Sequence, residues 1–92
     1  MDAKFSLGRV VATRAALKAV RNSRVRIQQF LARHTQGDWG DALCTESRLL
    51  NDEAVFTGER IHSSYYLAHG QKLWIFTEAD RSATTIILPS EY

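Results

Sequence analysis

An α+β fold in one small domain is what this sequence predicts, and three observations carry that reading. The chain has 92 residues, enough for a single modest core. Its first 58 residues show helical spacing between capping residues, whereas residues 61–88 alternate with period two around turn signals. The resulting order is β-α-α-α-β-β-β over 1–92, a mainly antiparallel four-stranded sheet packed on helices.

The first strand is expected over Lys4–Ala12, where Phe5 and Leu7 alternate with polar neighbours and Gly8 marks a bulge or a close backbone approach. Thr13 can cap a helix over Arg14–Arg21, because its hydroxyl accepts from amides that lack an intrahelical partner. Ser23 is the next capping residue. In the helix that follows, Ile27, Phe30, Leu31 and His34 form an apolar stripe, and Gly37 ends it. In the loop "GDWGD", residues 37–41, Trp39 is expected to plug an edge of the core. Thr45 caps a third helix that stops at Gly58, with Leu49, Leu50, Ala54 and Phe56 as its buried positions.

Three strands follow, Ile61–Leu67, Lys72–Thr77 and Ala83–Leu88, the first two joined by a tight turn at Ala68-His69-Gly70-Gln71. With Tyr65 opposite Trp74 and Glu78 opposite Ala83, one face holds Ile61, Ser63, Tyr65, Leu67, Trp74, Phe76 and Ile87. The other holds His62, Ser64, Tyr66, Leu73, Ile75, Ile86 and Leu88. Both faces are rich in apolar residues, and a one-residue slip would exchange the sets without changing that. Helices of so short a chain cover one face, which leaves two readings of the other. Either the helices and N-terminal segment wrap over part of both faces, or a partner, a second protein or a second copy, covers it.

Charge divides along the chain. Residues 1–36 hold eight Lys and Arg against Asp2 alone, a net of +7, and residues 37–92 hold four against nine, a net of −5. Arg14, Lys18 and Arg21 fall on one side of the first helix, with Arg24 just beyond it, and donors so placed suit phosphates. Two short helices in succession also invite a helix-turn-helix reading.

Catalytic signals are sparse. His34, His62 and His69 have neither the spacing nor the cysteine company of a zinc site. His62 would face Thr77 near Glu78, a weak general-base pattern. Cys44 is the one cysteine, so no internal disulfide forms, and its acidic neighbours would raise its pKa. Neither a glycine-rich phosphate loop nor a serine elbow is present, and no cofactor or metal is implied. The cluster Glu78, Asp80 and Arg81 is first a polar strand connection and second a contact point. The residues singled out for binding are therefore Arg14, Lys18, Arg21, Arg24, Tyr65, Trp74, Phe76, Asp80 and Arg81. No run reaches the roughly 18 apolar residues of a membrane helix and no secretory leader is seen, so the expected place is the cytoplasm.

The segments "FSLGRVVAT", "GDWGD" and "WIFTEADRSATTIILPSEY" resemble a family of short uncharacterised bacterial proteins described as plasmid-related. Arg14 departs from that pattern, which has proline there. The resemblance implies carriage by mobile genetic elements and supplies no catalytic residues. At the level of fold, the element order is similar to small ribosome-dependent mRNA interferase toxins. Those place basic and aromatic residues on the sheet, where this chain has Glu78, Asp80 and Glu91 around Arg81. The leading expectation is a non-enzymatic interaction protein of mobile elements, in its sharpest form an inhibitor of a host defence nuclease. The alternatives are an RNA-binding or ribonuclease-type protein acting through the basic helices, and a small DNA-binding regulator.

Overall fold

A computed structural model describes residues 3–92. The elements follow the expected order: β1 (Arg9–Ala12), α1 (Arg14–Asn22), α2 (Ile27–Thr35), α3 (Thr45–Thr57), β2 (Ile61–Tyr66), β3 (Lys72–Thr77) and β4 (Ala83–Ile87). The sheet order is β1-β4-β3-β2. β2, β3 and β4 are antiparallel neighbours, but β1 lies parallel to β4, so the sheet is mixed.

The first strand is shorter than expected. Gly8 has φ +63, and a Cβ there would come within 2.4 Å of the Arg81 carbonyl oxygen. The chain must pass so close to the Arg81–Ser82 backbone that pairing starts only at Arg9, whose N–H donates to the Ser82 carbonyl. Lys4–Leu7 instead turns back on α2, with the Lys4 N–H bonded to the Thr35 carbonyl. Phe5 packs edge-on to His34, with ring centres 5.1 Å apart, and stacks on Trp39.

Thr13 caps α1 as expected, accepting from the Ala16 N–H at 3.1 Å. Ser23 does not open the second helix. It closes α1, donating to the Ala19 carbonyl and accepting from the Ala68 N–H. α2 starts four residues later, where the Gln29 side chain accepts from the Arg26 N–H. Cys44, not Thr45, holds the N-cap position of α3, and Gly58 closes that helix at φ +79.

The hairpin explains a one-residue shift in register. The Gln71 N–H bonds to the Ala68 carbonyl, closing a turn with His69 at φ 62 and Gly70 at φ 77. Next, the Leu67 N–H bonds to the Gln71 carbonyl, so Leu67 and Ala68 both stand opposite Gln71 as a bulge. Beyond it Tyr65 pairs with Leu73 and Ser64 with Trp74, where the turn alone would pair Tyr65 with Trp74. The Ala68 N–H, released from the ladder, is the group that Ser23 accepts.

One sheet face therefore carries Ile61, Ser63, Tyr65, Leu73, Ile75, Thr77, Thr84 and Ile86, all buried. Ala16, Ala19 and Val20 of α1 and Phe30 of α2 close over it. A second cluster, Trp39, Ala54 and Ile61, joins α3 and the GDWGD loop to β2. Trp39 is buried as expected, and its indole N–H donates to Asp52 at 2.8 Å. Leu49, Leu50 and Phe56 are not core residues: α3 lies along the β2 edge and turns in only Asn51 and Ala54, leaving Phe56 89% exposed. Asn51 bonds both the N–H and the C=O of His62, and the Trp39 carbonyl and Ala42 N–H do the same for Ser64. That edge of the sheet is closed to strand addition. No helix among the described residues is long and apolar enough to cross a membrane.

Candidate functional site

The face of the sheet turned away from α1 and α2 has no helix over it. It carries His62, Ser64 and Tyr66 of β2, Trp74 and Phe76 of β3, Thr85 and Ile87 of β4, and Val11 of β1. The C-terminal turn Pro89–Glu91 brings Tyr92 across it. The Tyr92 ring stacks on Phe76 at 5.2 Å and meets Trp74 edge-on at 5.6 Å. His62 stacks on the Phe76 ring at 4.3 Å and is edge-on to Trp74. The Arg60 guanidinium stands 4.2 Å above Phe76, pairs with Glu78 at 3.6 Å and donates to the Tyr92 hydroxyl. Phe76 is thereby sealed, while Trp74 and His62 remain partly accessible and Tyr66 and Tyr92 are 53% and 72% exposed.

Two polar atoms on this face are buried without a hydrogen-bond partner, His62 Nε2 and Ser64 Oγ, two residues apart on β2. Burial, with the Arg60 charge nearby, lowers the His62 pKa to about 4, so the ring is neutral at pH 7. A neutral imidazole offers one donor and one acceptor, and a hydroxyl offers both. Both atoms are shielded by the side chains around them, so it is the exposed aromatic surface of Trp74, Tyr66 and Tyr92 that suits a mostly apolar partner.

A different histidine is withdrawn from any such role. His34 is completely buried, with Nδ1 2.5 Å from Ser63 Oγ and Nε2 2.8 Å from Thr77 Oγ1. Thr77 Oγ1 lies 2.8 Å from Thr84 Oγ1, which donates to the Leu7 carbonyl. That carbonyl only accepts, so Thr84 spends its proton there and Thr77 must donate to Thr84. His34 Nε2–H then donates to Thr77, and Nδ1 accepts from Ser63. Burial lowers the His34 pKa to about 3, in keeping with this neutral tautomer. A serine beside a histidine here is structural, since neither is accessible.

The residues singled out from sequence are dispersed. Trp74 and Phe76 belong to the open face. Tyr65 is on the opposite, buried face, where its hydroxyl donates to the Asp38 carbonyl at 2.7 Å and the Arg33 guanidinium covers its ring; burial raises its pKa. Arg14, Lys18, Arg21 and Arg24 are exposed on and beyond α1, away from the sheet. Asp80 is exposed and accepts from the Ser82 N–H, and the Ser82 side chain together with this backbone bond lowers its pKa. Arg81 donates to the carbonyls of Glu59 at 2.6 Å, Ala54 at 2.7 Å and Glu78 at 3.2 Å, so it fastens the end of α3 to the β3–β4 loop. His62 faces Phe76 rather than Thr77 because of the bulge. Cys44 also departs from expectation: its hydrogen bond to Ser47 lowers its pKa, outweighing Glu46.

Sequence reasoning missed Arg60 and Tyr92. The period of two, carried back from His62, would have put Arg60 on the open face. No local signal foretells that a three-residue turn folds Tyr92 over β3. No family model, no curated protein and no solved structure matches this chain.

Proposed function

We propose that this chain is an interaction protein that performs no reaction of its own and binds a protein partner through the helix-free face of its sheet. The observation that carries the proposal is the aromatic cluster of Trp74, Phe76, Tyr92 and His62, partly open to solvent and set beside two buried, unpartnered polar atoms. Aromatic side chains with a polar tip, such as Tyr66 and Tyr92, contribute most at the centre of protein interfaces. The β2 edge is closed to strand addition, so a partner that engages β2 meets it through its face. The likeness of GDWGD and WIFTEADRS to plasmid-related proteins supports a cytoplasmic role in a mobile genetic element, with a host defence nuclease as the target.

The test is affinity capture from host lysate with the wild-type chain and with Tyr66→Asp/Trp74→Ser, followed by reconstitution with the purified captured protein. The expected result is a one-to-one complex that the double variant, shown by circular dichroism to be folded, does not form. If the variant forms the complex equally well, or if light scattering shows the wild-type chain to be a dimer that the variant abolishes, a separate protein is not what this face binds.

A further inference from the structure

The outer side of α1 carries a column of cations that no side chain of the helix neutralises. Ala16, Ala19 and Val20 point into the core, and the helical period sets Arg14, Lys18 and Arg21 on the opposite pole, where all three are exposed. Arg24 and Arg26, also exposed, continue the run toward α2. Residues 3–36 contain no Asp or Glu at all. The two ion pairs found among the described residues, Arg33–Asp38 and Arg60–Glu78, involve none of these five. Glu91 reaches the start of the helix, but its carboxylate is engaged by the Thr13 hydroxyl at 2.7 Å and the Leu88 N–H at 2.9 Å.

Such a column works against the helix. Arg14 and Lys18 are four residues apart and Lys18 and Arg21 three, so each pair repels, and Arg14 stands at the positive end of the helix dipole. Glu91 offsets this only at the Thr13 end, and among the described residues no ion pair reaches Lys18 or Arg21. An anion with regularly repeated charge would offset the whole column.

The column from Arg14 to Arg21 spans about 10 Å along the helix axis, the reach of a few consecutive phosphates on one strand. Residues 13–29 include no Phe, Tyr or Trp, so this face has no platform on which unpaired bases could stack. The exposed rings of the sheet lie on its other side. A duplex presents phosphates without unstacked bases. We infer that the outer face of α1, extended by Arg24 and Arg26, binds the phosphate backbone of a nucleic-acid duplex without reading its sequence.

The experiment is fluorescence anisotropy with labelled 20-base-pair DNA and RNA duplexes and the matching single strands, across a salt series. Non-specific binding of this kind gives a dissociation constant of roughly 1–100 µM near physiological salt. Three phosphate contacts weaken it by about 40-fold between 50 and 200 mM salt. Arg14→Ala/Lys18→Ala/Arg21→Ala is expected to reduce the log–log salt slope by about 3, whereas Arg14→Lys/Arg21→Lys keeps it. The alanine variant should unfold at the same or a higher urea concentration, because it removes repulsion, so its loss of binding is not loss of fold. Tyr66→Asp/Trp74→Ser should bind the duplex like the wild type, which separates this surface from the sheet face. The inference is overturned if neither duplex binds at 50 mM salt, if the alanine variant keeps the wild-type slope, or if single strands bind more tightly than duplexes.

Discussion

His34 Nε2 donates to Thr77 Oγ1 at 2.8 Å, and this contact ties α2 to the centre of the sheet through a chain of hydrogen bonds that ends on the Leu7 carbonyl. Every donor in the chain points the same way, from Ser63 to Leu7. A proton added to Nδ1 would meet Ser63 Oγ as a second donor and reverse that link. The core thus contains a polar line that holds only while the imidazole is neutral.

Acid should therefore destabilise the fold. The unfolded chain takes up a proton near pH 6.5, while the native chain refuses it down to about 3 at His34 and about 4 at His62. Their stabilising contribution is complete above pH 6.5 and is lost as the pH falls toward those values. His34 alone should cost about 2–3 kcal/mol between pH 6.5 and 4.5, from about 1.4 kcal/mol per pH unit per proton. Urea unfolding at several pH values checks this. His34→Gln should be less stable at pH 7 and show a shallower pH dependence; an unchanged slope would reject the assignment.

Phe56 offers a test of the opposite kind. Its spacing from Leu49 marks it as a core residue of a helix with two neighbours, yet it is 89% exposed and Leu49 is 60% exposed. Phe56→Ser should change stability by no more than about 0.5 kcal/mol, where a buried phenylalanine would cost about 3–5. Chemical denaturation decides between the two.

The reason this exposure was not legible lies in what sequence patterns record. Spacing identifies an amphipathic helix, and α1 and α2 follow it, because each lays one stripe on the sheet. α3 packs sideways against the β2 edge, using the polar Asn51 as its closest contact, and no period reveals that. Likewise the alternation in β2 and β3 showed two apolar faces. Assigning them required the bulge at Leu67–Ala68, which is set by a carbonyl at Gln71 and not by side-chain type. Tyr65 and Trp74, expected on one face, lie on opposite faces on that account. The histidine chain was hidden for a simpler reason: Ser63 and Thr77 lie 29 and 43 residues beyond His34.

Gly40 should be far less replaceable than Gly58, although both have positive φ, +90 and +79. A Cβ at Gly40 would lie 2.0 Å from the Ser64 carbonyl oxygen and 2.7 Å from a Tyr65 ring carbon, but none of its neighbours comes within 4 Å at Gly58. Gly58→Ala carries only the backbone penalty, about 1–2 kcal/mol. Gly40→Ala adds a clash with the backbone of a central contact and should cost more than about 3 kcal/mol or prevent folding. Thermal melts of the two variants side by side check the ranking, which fails if they are equally stable.

Arg81 combines the features of a residue kept for structure. Its φ is +60, an unfavourable region for a side chain of this size, and its guanidinium nevertheless reaches three carbonyls on three segments. Two of them, Ala54 and Glu59, flank the C-terminus of α3, where a cation also opposes the negative end of the helix dipole. Lysine has the charge but not the planar fork that serves separate acceptors together. Arg81→Ala should cost about 2–3 kcal/mol, and Arg81→Lys should recover less than half of that. If the loop served instead as a binding contact, both variants would keep wild-type stability and lose only partner or duplex binding. Urea denaturation alongside the anisotropy assay separates these outcomes, and the expected one is a fall in stability with duplex affinity unchanged.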